Sequence, residues 1–232
     1  TAQVHTLGTA KIATLSGDQL DALLTDQLQA LTNSQIAAIS STALPSLSDN
    51  DLATLSTDQV KAFTSTQLPS MTTSQISNLT TSQVSALLTS QLAVLSSTQL
   101  NALTAEQLQS LTNNQVSTLS TTALSSLTNS NLTELTSTQI SVLNTDQVPS
   151  LLTSQVAALT TEQIGGLTSA QLRSLTTAQL ASLTTDQLPS LSSAQVQAFT
   201  PTQVSLLSTT QLTSLTASEI TALSSTQIVA MS

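Results

Sequence analysis

The chain has 232 residues, with 12 acids against three bases (Lys11, Lys61 and Arg173) and one histidine, His5, giving a net charge of −9. With no basic patch and no Tyr or Trp to stack on bases, nucleic acid is not an expected partner, and with no Cys neither are disulfides, thiol chemistry or Cys-ligated zinc. No apolar run approaches the roughly 20 residues of a membrane-spanning helix, so membrane insertion is not expected.

From Thr1 onward the sequence divides into 29 octads without insertion or slip. Position 4 is Val, Ile or Leu in all 29, and position 7 is Leu, Ile, Phe or Met in all 29. Position 3 is Gln in 23 octads and position 8 is Ser or Thr in 24, so the unit reads [ST]-x-x-Q-[LIV]-x-x-L when started at its hydroxyl residue. A fixed period of this kind marks a repeat architecture. Leu, Ile, Val and Phe make up 63 of 232 residues, above the roughly 20% ceiling of disordered chains, and their fixed placement argues for a buried stripe.

Along the chain, octad 1 carries His5 beside Val4, and octads 1 and 2 depart from the pattern at Gly8 and Lys11. Octad 4 is preceded by Leu24 where a hydroxyl is the rule, as are its counterparts at Leu88 and Leu152, 64 residues apart; Thr25, Thr89 and Thr153 stand ready to shift the cap by one. Octad 5 shows the rule: in Thr32-Asn33-Ser34-Gln35 the hydroxyl and Gln stand three apart. That is the capping box, with Leu31 and Ile36 forming the matching hydrophobic staple. Pro45, Pro69, Pro149 and Pro189 all occupy position 5, where proline disfavours helix at the preceding residue, so in those octads the turn is expected to end near position 4. Asp49 and Asp51 lack the Gly and terminal Glu of a calcium loop and read as a slightly irregular, solvated coil. Gly165-Gly166 lacks the context of a phosphate loop and reads as small corner residues. Pro201 falls at the first helical position after Thr200, where a helix accepts proline. Seven acids (Asp18, Asp26, Asp58, Glu106, Asp146, Glu162, Asp186) sit at position 2, in the first turn, where the helix dipole favours negative charge.

Three backbones compete for this pattern. A continuous α-helix would rotate the apolar stripe by roughly 80° per octad, so that it faces no single core. A β-solenoid, the alternative, needs a bend in every gap, because positions 4 and 7 are an odd number apart; a stacked Gln column would suit it. One short helical turn per octad uses positions 7, 8, 3 and 4 together as a helix start. The expected fold is therefore all-α: an elongated solenoid of 29 octads, residues 1–232 as one continuous domain, with a Leu/Ile/Val column inside and Ser, Thr, Gln and Ala outside. Phe63, Met71, Phe199 and Met231, all at position 7, are expected core variants.

Stretches such as Leu103–Leu111 (LTAEQLQSL) and Leu183–Leu191 (LTTDQLPSL) resemble the octapeptide-repeat segments of very large secreted or surface proteins of bacteria. The resemblance covers the whole chain. It implies an extracellular or cell-surface location and a fibrous or spacer role, as a part of a longer repeat protein. No enzyme activity, cofactor, metal or small-molecule substrate is expected. His5 is the sole histidine, and Lys61 and Arg173 read as single outward charges. The expected function is a rod or filament segment that self-associates by end-to-end stacking of repeats; the alternative is a Ser/Thr-rich binding surface for ice or glycans.

Overall fold

A computed structural model describes residues 2–231, with side chains from Val4 onward. Its described residues form 26 short α-helical segments and three 3-10 segments, with no strand, so the β-solenoid alternative falls. The fold is an α-solenoid. The chain divides into two units, Thr1–Leu119 and Ser120–Ser232, each built from the same coil.

One octad shows how the coil arises. Thr32 is extended (φ −71°, ψ 160°) and caps the helix Asn33–Ala38. Its hydroxyl accepts the Gln35 N–H at 3.3 Å, and Gln35 Oε1 accepts the Thr32 N–H at 2.8 Å. The Ile36 N–H closes one α-type bond to Thr32 O at 2.9 Å, and the Ile39 N–H tightens the end with a bond to Ile36 O at 3.2 Å. Ile39 then turns extended (ψ 132°) and Ser40 begins the next cap. Six helical residues and a two-residue corner account for the period of eight here, and shorter helices elsewhere leave longer corners. A helix this short does not persist alone in water, so its stability must come from neighbouring coils.

In the first unit, Gly17–Asp21 packs against Leu44–Ser46, and Thr81–Ala86 against Ala105–Ser110. In the second, Thr153–Ala158 packs against Thr177–Ser182, and Ser193–Gln197 against Ala217–Ala222. Each pair is three octads apart, a spacing the sequence did not reveal. The stacked coils bury position 4 from Val4 to Val204 and position 7 from Leu31 to Leu223. Phe63, Met71 and Phe199 lie in this column, whereas Met231 is exposed.

The structure corrects four expectations. Position 3 Gln is inside: Gln107 is 2% exposed, and most of its counterparts are equally buried. Leu24, Leu88 and Leu152 remain N-cap residues, and the cap does not move to the following Thr. There the Gln27 and Gln91 N–H groups keep only the carbonyls of Leu24 and Leu88, at 2.8 and 2.9 Å, a bond that the Gln35 N–H also makes to Thr32 O beside its hydroxyl. The proline octads do not stop at position 4: Leu44–Ser46, Leu68–Ser70 and Leu188–Ser190 become 3-10 turns, and Gln147–Ser150 stays α-helical. A 3-10 turn needs no bond from the proline nitrogen, so the chain tightens rather than ending. Asp49 and Asp51 lie in a regular helical turn, Asp49–Thr54, capped by Ser48, and not in an irregular coil. At Pro201 the expectation holds, with Thr200 as cap and helix Pro201–Ser205.

Candidate functional site

The recurrent polar feature is the buried Gln at position 3. Its Oε1 belongs to the capping box of its own octad, while its Nε2 reaches into another coil. In the first unit Gln107 Nε2 donates to Ile76 O at 3.0 Å and Leu79 O at 2.5 Å. Gln83 does the same to Leu52 O and Leu55 O at 2.8 and 2.9 Å. In the second unit Gln179 donates to Val148 O and Leu151 O at 2.9 and 2.7 Å. The acceptors are the position 4 and position 7 carbonyls, 31 and 28 residues earlier, four octads back. Direct packing at three octads and amide ties at four place one superhelical turn between three and four octads.

The tie answers a need of the backbone. The position 4 carbonyl already accepts the position 7 N–H, as Leu79 N–H to Ile76 O at 3.3 Å, and the Gln amide takes its second lone pair. The position 7 carbonyl lies at the extended corner, where no helical N–H reaches it. One carboxamide therefore satisfies a helix start, a helix end and a corner at once. Octads with Ala or Asp at position 3 lose this. Ala43 and Ala123 have nothing to donate, and Asp51 turns elsewhere, accepting from the Ser48 hydroxyl at 2.6 Å and the Thr25 hydroxyl at 3.0 Å.

A second tie runs the other way. His5 Nδ1–H donates to Ala30 O at 3.2 Å, Gln29 Nε2 to Thr54 O at 3.2 Å, and Arg173 Nε to Ala198 O at 2.9 Å. All three are position 5 side chains reaching a position 6 carbonyl 25 residues ahead. Arg173 is thus not merely an outward charge. Lys61, also at position 5, forms an exposed pair with Asp58 at 3.6 Å, of little energetic weight.

The remaining candidates are dispersed. Asp49 accepts from the Ser74 hydroxyl and from Asn78 Nδ2 at 3.2 Å, pointing to a different coil from Asp51. A Cβ at Gly165 would stand 3.0 Å from the Ser190 carbonyl oxygen, and one at Gly166 3.1 Å from Ser137 Cβ; both glycines serve close coil contact. Exposed Glu106 has its carboxyl held below the ordinary value by its own backbone N–H and then by the Thr104 hydroxyl. A depressed carboxyl stabilises the fold above its unfolded value and loses that as pH falls through the folded one. Among the described residues no three His, Cys, Asp or Glu side chains gather as metal ligands, and no helix is long and apolar enough to cross a membrane.

The terminal octads differ from the rest, each in its own way. At the start of the first unit, Leu7, Leu15 and Leu23 at position 7 are only half-buried, although Val4, Ile12 and Leu20 at position 4 are buried. Gln19 and Gln27 keep their capping bonds, at 3.0 and 2.8 Å, with no tie in the described structure. At the end of the second unit the pattern reverses. Leu223 at position 7 is buried, whereas Leu212 and Ile220 at position 4 are half-buried, and Ile228 and Val229 are 53% and 72% exposed. Among the described residues no octad four places on donates to the carbonyls of octads 26 to 29. The first described coils thus present amide donors beside position 7 side chains, and the last present carbonyl acceptors beside position 4 side chains.

No curated protein matches this chain. A family model described as the ALTTAQ repeat matches residues 1–33, 156–193 and 166–201, so the chain is similar to that repeat at several places and is a repeat protein.

Proposed function

We infer that this is a structural protein: a segment of an octad array that extends by taking further octads onto its terminal coils, in an extracellular or cell-surface assembly. The complementarity of the two terminal surfaces carries this reading. A Gln-bearing octad laid on the last coils of the second unit would donate to their position 4 and 7 carbonyls and cover Ile220 and Ile228. Those octads can belong to the same polypeptide or to a second copy of it. A head-to-tail contact that does not close on itself gives an open filament, and unshielded end repeats favour such growth. This reading calls on no catalytic step. Location outside the cell rests on the resemblance of the octad to secreted and surface repeats.

Electron microscopy and light scattering on the purified chain test the assembly. Concentration-dependent filaments, lost in Ile228→Asp, are expected. A chain that stays monomeric at every concentration, with Ile228→Asp unchanged in behaviour, would oppose self-association.

A further inference from the structure

One octad carries an acid in the buried amide seat. Glu219 occupies position 3 of octad 28 and is 2% exposed. Its Oε2 performs the capping role, accepting the Thr216 N–H at 2.5 Å. Its Oε1 is buried without a hydrogen-bond partner, the sole such atom among the described side chains. In the flanking octads the equivalent atom is an Nε2 donor: Gln211 donates to Leu180 O and Leu183 O at 3.1 and 2.8 Å, and Gln227 to Val196 O and Phe199 O at 3.3 and 2.7 Å. By the same spacing the carbonyls that belong to octad 28 are those of Leu188 and Leu191. An ionised Glu219 would set an acceptor against acceptors, in a seat shielded from water.

We propose that this seat binds a proton: Glu219 closes octad 28 as the neutral acid, its Oε1–H donating to the carbonyls of octad 24, and ionisation unlatches the octad. The seat requires a donor, and a carboxylic acid is the near-isostere of the carboxamide that fills the equivalent seats of the flanking octads. No cation offers an alternative. Octads 24, 25, 27 and 29 pack on or flank octad 28, and their single titratable side chain among the described residues is Asp186, exposed and itself an acid. Arg173 is engaged with Ala198 O. The native state then holds a proton that the unfolded state has released, so this contribution to stability is complete at low pH and falls as pH rises. Octad 28 lies among the coils that carry the half-buried Ile220 and the exposed Ile228, so its seating sets whether that surface is formed.

Amide hydrogen exchange at Ile220 and Leu223, with Glu219→Gln followed at each pH as reference, tests this directly. Relative to Glu219→Gln, wild-type protection should match or approach it in acid and decline toward neutrality, by up to about tenfold per pH unit once the group ionises. Glu219→Gln should hold the octad closed throughout. Parallel protection in the two proteins across the pH range would overturn the proposal. So would protection restored to the wild type at neutral pH by sodium or calcium ions, which would make the ligand a metal cation.

Discussion

Position 3 Gln is the residue on which the fold turns, and only half of its work is legible in sequence. The capping box follows from a hydroxyl and a Gln three apart, because both partners lie in one octad. The tie does not, because its acceptors are backbone carbonyls 28 and 31 residues away and leave no trace in side-chain identity. The buried Gln side chains reach backbone carbonyls of an α-solenoid rather than stacking in the β-structure that a Gln column would have suited. Replacing Gln107 by Ala leaves Thr104 N–H, Ile76 O and Leu79 O short of partners. A buried unsatisfied group costs ~1–3 kcal/mol, so chemical denaturation should show a loss on the order of 3 kcal/mol. Thr104→Ala, which removes only the cap, should cost about 1 kcal/mol. Equal losses for the two would mean that the tie contributes nothing. At position 7 the demand is simpler. Leu111 is buried, and Leu111→Asp would place an unpaired charge there, which should abolish the cooperative melt of the first unit followed by circular dichroism.

At the scale of the element, each octad is a helix too short to stand alone, and what varies along the chain is how it starts and stops. The start signals were legible: Thr200-Pro201 and Thr32 through Gln35 form the helix starts their residues dictate. The stops were less so, since Pro45, Pro69 and Pro189 convert the turn to 3-10 geometry instead of ending it, whereas Pro149 leaves its octad α-helical. The three leucine caps are weak starts. Leu88 is 48% exposed and caps its helix with no side-chain acceptor. Leu88→Thr should therefore raise stability by about 0.5–1 kcal/mol, seen as a higher denaturation midpoint with an unchanged slope. A neutral or destabilising result would show that Leu88 is retained by a packing contact stronger than a cap.

At the scale of the whole molecule, the sequence determined that there would be one helical turn per octad and that positions 4 and 7 would share a core. It did not determine how many octads make a coil, because every octad looks like its neighbours and the register emerges only from coil-on-coil contact. Packing at three octads and tying at four supply that register. They also give the coil a direction, since the position 3 amide ties point from a later octad to an earlier one. Along this direction the first described coils leave position 7 half-buried, and the last leave position 4 half-buried or exposed.

Position 3 amides tie coils four octads apart, and hydrogen exchange of the glutamine side-chain amides in the nitrogen-15-labelled protein reads those ties one by one. The expected spectrum has two classes: slowly exchanging amides from seats such as Gln75, Gln107 and Gln179, and rapidly exchanging ones from exposed Gln19 and Gln197. If the buried-seat amides exchanged as fast as Gln197, the ties would not exist in solution and this account of the solenoid would be contradicted.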